Sequence, residues 1–362
     1  MALCFFFIFL IVGIIRFFNG YLRKSRILPS EKKAKFAIII PARDESKVIE
    51  ANLRSIVNCD YPKELCEVWL IVESPEDPTI EIASRFTDIK IHIFYRIKLE
   101  NVGKGYALDE CLKHIYTKND VYDAFMILDA DNVISKNFLS RMNDAYQQGY
   151  DIACGKRENK DWNASVVCGA SALTFTIINT IQNKPKAYYN MNILVSGTGF
   201  YFRSEVLREY CGWPFHTLTE DYELTNYSIV HNLKSAYVED AIFYDEQPIK
   251  MRQSILQRTR WIKGYFSVQK KYKQEKLEAL KKNKKKKGKD KGKKEKINRK
   301  KLQDFDYLRQ TFYQVDNTTT INRDQLNVDA LLSENMKIDT SGDGPQILIY
   351  HCLLYTSPSP RD

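Results

Sequence analysis

No two cysteines of this 362-residue chain are spaced C-x-x-C, and its 5 histidines show no ligand spacing. The 8 cysteines, Cys4, Cys59, Cys66, Cys111, Cys154, Cys168, Cys211 and Cys352, are scattered, several of them in apolar or helical runs. That speaks against a zinc site and a disulfide frame and fits reduced, cytosolic usage. Basic residues are missing before the N-terminal apolar run, and small residues are missing at its end. A cleaved signal peptide would want both. Internal repeats are absent as well.

Charge is present but unevenly placed. The formal net charge is +10, yet residues 270–301 alone carry 18 Lys or Arg against 4 Asp or Glu, a net +14. The remainder is therefore mildly acidic at −4. The tract Lys281-Lys-Asn-Lys-Lys-Lys-Lys287 is like-charged and has no apolar residue, so residues 269–301 are expected to be a disordered linker or poor helix. It suits anionic lipid headgroups. It has no aromatic platform for bases, so a nucleic-acid partner is not expected.

Ala2 to Ile15 is a run of 14 residues without a polar side chain. Such a helix spans about 21 Å, short of a hydrocarbon core of about 30 Å. If Arg16 snorkels and the helix continues to Leu22, the span suffices. Residues 1–22 are thus expected to be a membrane anchor and 23–35 a basic linker. Arg16, Arg23, Lys24, Arg26, Lys32, Lys33 and Lys35 follow the apolar run, which by the positive-inside rule puts the rest of the chain on the cytosolic face. Residues 302–351 have no clear pattern and stay unassigned. Residues 352–362, CLLYTSPSPRD, read as the translation of a sequencing adapter and are set aside.

Between these segments, short apolar runs alternate with helical periodicity. Strands are expected at Phe36 to Pro41, Val68 to Val72, Ile89 to Phe94 and the run ending at Asp129. Helices are expected at Ser46 to Val57, Thr79 to Phe86 and Gly103 to Ile115. Strict alternation implies a mainly parallel sheet with helices on both faces. After Asp151 the pattern loosens. Val166 to Ile181 reads as a buried or interfacial helix, Val195 to Phe202 as a return to the sheet, and Asp221 to Val230 and Met251 to Tyr265 as helices.

Asp129-Ala-Asp131 closes the run Ala124 to Leu128, so a buried strand delivers two carboxylates to its C-terminal tip. Ligands of open α/β sheets collect at that end. Two hard oxygen donors there suit a divalent cation that also holds a diphosphate. Alone, the pair fits equally a strand ending in a polar turn that caps the next helix. Three further stretches stand beside it: Pro41-Ala42-Arg43-Asp44-Glu45 after the first strand, Thr219-Glu220-Asp221, and Gln257-Arg258-Thr-Arg260-Trp261.

In this order the four stretches resemble those of the family 2 glycosyltransferases, the group of the hyaluronan, chitin, cellulose and poly-N-acetylglucosamine synthases. Their pattern is P-A-R-[ND]-E after a strand, then D-x-D, T-E-D and Q-x-x-R-W. Asn101-Val-Gly-Lys104-Gly, Gly197-Thr-Gly199-Phe and Asp245-Glu-Gln-Pro248 are secondary matches. The resemblance covers residues 36–268 and implies a Rossmann-like GT-A domain there. It implies an inverting, metal-dependent transfer of a sugar, N-acetylglucosamine or glucose, from a UDP-sugar to a saccharide or lipid-linked acceptor.

The resemblance also assigns roles. Asp129 would contact the nucleotide and Asp131 would bind Mg2+ or Mn2+. Asp221 would be the general base on the acceptor hydroxyl. Glu220, Gln257, Arg258, Arg260 and Trp261 would line the acceptor and diphosphate side. An acidic helix start also satisfies a dipole, and a basic helix face with one buried Trp is an ordinary amphipathic helix. Ala42, Arg43, Glu45, Glu73 and Lys104 would face the nucleotide. Glu73 stands where relatives often carry Asp. Two rival readings are a sugar-nucleotide nucleotidyltransferase, whose usual Gly-rich basic loop is absent, and a membrane-bound scaffold without catalysis.

Overall fold

The computed structural model describes residues 27–118 and 121–289, with positions 10–15, 18 and 22 before them. Side chains of the last helix are described through Leu277. The chain divides into two compact units, Met1–Asn283 and Lys284–Asp362; the sheet and the site both lie in the first. The expected anchor at 1–22 lies largely outside the described residues, and 290–301, 302–351 and 352–362 lie wholly outside them. Among the described residues no helix is long and apolar enough to cross a membrane.

One eight-stranded sheet organises the first unit, in the order β3-β2-β1-β4-β7-β6-β8-β5. β1 (Phe36–Pro41), β2 (Cys66–Val72), β3 (Lys90–Tyr95) and β4 (Ala124–Ile127) are mutually parallel, with Phe36 opposite both Cys66 and Ala124. α1 (Ile49–Val57), α2 (Pro78–Ala83) and α3 (Lys104–Thr117) connect them. The β-branched run Ile38-Ile39-Ile40 is fully buried, because parallel strands are covered on both faces. Alternation then sorts the side chains. Phe36, Ile38 and Ile40 join Leu53, Phe138 and Met142 in one core, while Ala37 and Ile39 join Leu108, Leu112, Trp213 and Leu224 in the other.

The second half of the sheet adds antiparallel pairings to a sheet that stays mainly parallel. β7 (Phe200–Arg203) runs antiparallel to β4 and to β6 (Ile152–Asn159). β8 (Ser235–Asp245) is parallel to β6, and the short β5 (Val133–Ile134) is antiparallel to β8. The loop before β7 delivers that strand at the C-terminal tip of β4, so β7 has to run back. Gly197 and Gly199 turn this loop at φ 74° and 66°, a region open to glycine. Gly199 N–H donates to Ile127 O at 2.9 Å and closes it onto β4.

Helix boundaries moved by a few residues. α4 (Phe138–Gln147) covers the first core. It also holds the expected linker, as Ser30 and Ala34 N–H donate to the side chains of Asp144 and Asn143, each at 2.9 Å. The segment from Val166 is α-helical only as α5 (Val166–Ile177), followed by a π-helical stretch (Ile178–Asn183) and α6 (Lys184–Tyr188). Two buried asparagines account for the widened turn. Asn179 Nδ2 donates to Arg157 O at 2.9 Å, and Asn183 exchanges bonds of 3.0 and 2.8 Å with Leu194. α7 (Glu220–Val230) leads to β8, and α8 runs the length of Met251–Lys289. Helix thus continues through residues 269–289 of the tract expected to be a linker; Lys, Glu, Gln and Leu are good helix formers.

Candidate active site

The tips of β1, β2 and β4 leave the sheet at one edge. Ladder bonds run on past the strands: Ala42 N–H donates to Ile71 O at 2.8 Å, Arg96 N–H to Val72 O at 2.9 Å and Leu128 N–H to Ile39 O at 3.1 Å. Ala42 is buried in this way, and Arg43 beside it is exposed. The Arg43 guanidinium lies 3.7 Å from Glu73, which also pairs with the buried Arg96 at 3.1 Å. Asp44 adopts φ 57°, and its N–H donates to Asp77 at 3.0 Å. Glu45 N–H donates to Thr79 Oγ1 at 3.1 Å. Burial, and then Asp129, raises the Glu45 carboxyl above its usual range.

Lys104 occupies the centre. Entering α3, it pairs with Asp129 Oδ1 and donates to Gly197 O at 2.7 Å. Asp129 N–H is held in turn by Thr198 Oγ1 at 2.8 Å. Burial alone would lower the Lys104 ammonium; the charges of Asp129, Glu220 and Asp221 outweigh it and hold the proton more firmly than usual. One cation thus joins the D-x-D tip to the carboxylates that open α7.

Beyond Lys104 lies a cavity of about 600 Å³. Asp129, Glu220, Asp221, Gln257, Arg260 and Trp261 all line it, so it unites three of the four sequence stretches. Burial raises the Asp221 carboxyl. Burial and then Asp221 push Glu220 up to about 7, with Lys104 opposing. A Cβ on Gly197 would sit 3.4 Å from Asp221 Oδ2, so the loop backbone borders this carboxylate directly. α8 approaches Thr219 so closely that a Cβ on Gly264 would meet the threonine side chain at 2.5 Å. Lys271 pairs with the fully buried Glu223 and clamps α8 to α7.

Arg258 is not part of this lining. Its Nε donates to Ser254 at 3.3 Å and its Nη2 to Ser171 of α5 at 3.2 Å. Ala42, Arg43, Glu45 and Glu73 stay at the neighbouring strand tips and do not border the cavity.

Arg157 was not singled out from the sequence. It sits on β6, with Nε 2.8 Å from Asp245, Nη1 3.1 Å from Ser196 O, and its guanidinium 4.0 Å from the Phe175 ring centre. Phe175 meets Trp261 edge to face at 6.5 Å. Asp245, Arg157, Phe175 and Trp261 thus form a continuous wall from the sheet to α8. In the sequence, Asp245 stands out only as the start of the secondary match Asp245-Glu-Gln-Pro248 and Trp261 through its own motif; Arg157 and Phe175 carry no signal.

Metal fit follows from the donor set. Burial, with Asp129 and Asp245 adding, pushes Asp131 up to about 6. Asp245 Oδ1 is buried without a hydrogen-bond partner. Carboxylate is in excess here, and a divalent cation is the partner that offsets it. Among the described residues no group of three His, Cys, Asp or Glu could hold a metal by itself. A diphosphate would therefore have to complete the shell.

Sheet, strand-tip carboxylates and cavity together define an α/β domain with a ligand crevice at the C-terminal ends of its strands. The chain belongs to the glycosyltransferase-like family 2, whose model matches residues 34–264. It is 25% identical over 276 residues to the probable glycosyltransferase YdaM of Bacillus subtilis, covering 68% of this chain and 60% of the relative. It is 23% identical over 248 residues to a beta-monoglucosyldiacylglycerol synthase of Synechocystis sp., covering 63% and 47%. The chain thus spans about half to 60% of these relatives. In fold it is similar to the mannosyltransferase PcManGT of Pyrobaculum calidifontis, solved with GDP-Man and Mn2+. The TM-score is 0.57 at 17% identity, over 73% of this chain and 72% of the other.

Proposed function

We propose that the protein is a membrane-anchored inverting glycosyltransferase. It moves N-acetylglucosamine or glucose from a UDP-sugar to a saccharide or lipid-linked acceptor, on the cytosolic face. The observation that carries this reading is Lys104, which pairs with Asp129, donates to Gly197 O and lies in the field of the Glu220–Asp221 pair. A transferase needs its leaving-group site and its base on opposite sides of one sugar. A nucleotidyltransferase has no use for a second carboxylate pair beside an apolar cavity, and a scaffold has no use for either.

The residues divide the work. Arg43 and Glu73 set a donor beside an acceptor, which matches the carbonyl and N–H of a uracil edge. Asp131, with Asp129, would hold Mg2+ or Mn2+, which supplies charge neutralisation of the departing diphosphate. Arg260 and Lys104 add fixed positive charge near it. Asp221 takes the acceptor proton, and its raised affinity for that proton suits a base working near neutrality. Trp261, braced by Phe175, shields the reacting carbon from water.

The test is incubation of the full chain with UDP-N-acetylglucosamine, UDP-glucose and GDP-mannose in Mn2+, scored for nucleoside diphosphate release and for the anomeric configuration of the product. UDP release with inversion is expected. Release from GDP-mannose alone would overturn the UDP assignment. Pyrophosphate release from UTP and a sugar 1-phosphate would favour the nucleotidyltransferase.

A further inference from the structure

The cavity beside Asp221 does not close. Its outer wall is Leu218, Ile262, Tyr265 and Phe266, and of these Leu218 and Ile262 are each 57% exposed and Phe266 is 65% exposed. The apolar surface then continues along α8. Met251, Ile255, Ile262 and Phe266 are all exposed, and at 100° per residue they fall within about 60° of one another round the helix. Leu173 and Ile177 of α5, also exposed, add to the apolar surface of this half. A contiguous apolar strip rarely faces water without a use. This one leads out of the cavity that holds the catalytic carboxylates, and the same helix carries Lys263, Lys270 and Lys273.

We propose that the acceptor is a lipid whose hydroxyl-bearing head reaches Asp221 while its chain lies on the strip from Leu218 to Phe266. This rests on the glycosyltransferase reading and narrows its acceptor class. Three features favour a lipid chain over a soluble saccharide. The strip is continuous with the cavity mouth. The wall beside the base is aliphatic and aromatic. The lysines of α8 complement an anionic bilayer surface from which such an acceptor would come. In the step itself the head hydroxyl oxygen forms a bond to the anomeric carbon of the donor. The bond from that carbon to the diphosphate oxygen breaks, and UDP leaves with the electron pair. The hydroxyl proton passes to the Asp221 carboxylate.

The experiment compares methyl and octyl β-glucoside as acceptors, both below micellar concentration, with the full chain held in amphipol. Each methylene that buries is worth roughly a fourfold gain in affinity. KM is therefore expected to fall at least a hundredfold from methyl to octyl. Phe266→Glu and Ile262→Glu should each return the octyl KM to within threefold of the methyl value. Both positions are exposed, so the charge does not threaten the fold. Calorimetric UDP binding reports separately on the donor half. Equal KM values for the two glucosides, or an octyl KM unmoved by Phe266→Glu, would overturn the proposal. The strip would then be covered by the N-terminal apolar run or by a second copy. Turnover of neither glucoside while UDP binds would overturn it too. Failure to bind UDP would sink the glycosyltransferase reading instead.

Discussion

β3, β2, β1 and β4 run parallel and end at carboxylates of which Glu73 is matched to Arg43 and Arg96 and Asp129 to Lys104, which leaves Asp131 for a divalent cation. β7, β6, β8 and β5 mix directions, and β6 reaches through Arg157 a cavity whose carboxylates Glu220 and Asp221 are held by burial. Fixed charge suits a diphosphate, which stays anionic throughout the reaction. A buried carboxylate with a raised proton affinity suits a group that must accept a proton and give it up. The fold therefore keeps charge balance on one side of Lys104 and proton transfer on the other.

The comparison breaks most severely if the charge-balancing half loses its cation site. Asp131→Asn, or EDTA with the intact protein, should cut UDP release by roughly 10³-fold, the range of a lost electrostatic clamp. Full activity of Asp131→Asn in metal-free buffer would remove Asp131 from the reaction. On the other side, Asp221→Asn should lower kcat by roughly 10²- to 10⁴-fold, as a lost general base does. UDP affinity should stay near wild type. Loss of UDP binding together with thermal stability would reduce Asp221 to a helix-start residue.

The same division explains what could be read in the sequence. In the parallel half each strand is a short apolar run and each connection a periodic helix, so β1, β2, β3, α3 and the tip at Asp129 emerge from local pattern. In the mixed half β6 and β8 carry Lys, Arg, Glu and Asp among their apolar positions and β5 is only two residues long, so no local period marks them. Asp221, Arg260 and Trp261 were found through motif resemblance, and their meeting in one cavity depends on α8 folding back against Thr219. Arg157 faces Asp245 only because β6 pairs with β8. Arg258 is the converse case: two arginines two residues apart on a helix point about 200° apart, and Arg260, at the fixed position of Q-x-x-R-W, is the one that lines the cavity.

A pH profile sharpens the contrast without mutating the donor side. The catalytic form needs an ionised base, and burial makes Asp221 resist ionisation, so kcat/KM should rise with pH and level off above the usual carboxylate range. Below that it should fall about tenfold per unit, as for a single essential base. A flat profile between pH 5 and 8 would exclude a buried base.

The two arginines of α8 give a smaller but more pointed effect. Arg260 lines the cavity and Arg258 bonds Ser171, so Arg260→Ala should reduce kcat/KM by roughly 10- to 100-fold, as loss of a charged contact would. Arg258→Ala should leave kcat/KM within about threefold and cost about 1 kcal/mol of stability, the worth of a hydrogen bond. The reverse ranking would mean that α8 rotates when the donor binds.

The smallest effect on chemistry is expected from the most charged part of the chain. Val268 and Tyr272 are the last buried residues of α8, and Lys271 and Lys276 make its last described polar contacts, to Glu223 and Gln269. Every described contact that fixes α8 against α7 therefore lies before residue 278. Deleting residues 278–298 removes 11 Lys but none of these contacts. Turnover of a freely dissolved acceptor should stay within about twofold, whereas binding to vesicles rich in anionic lipid should weaken, at about 1 kcal/mol for each lysine that had reached the surface. Loss of turnover with vesicle binding intact would place the lysines in the reaction and erase the line drawn at Lys104 between fixed charge and proton transfer.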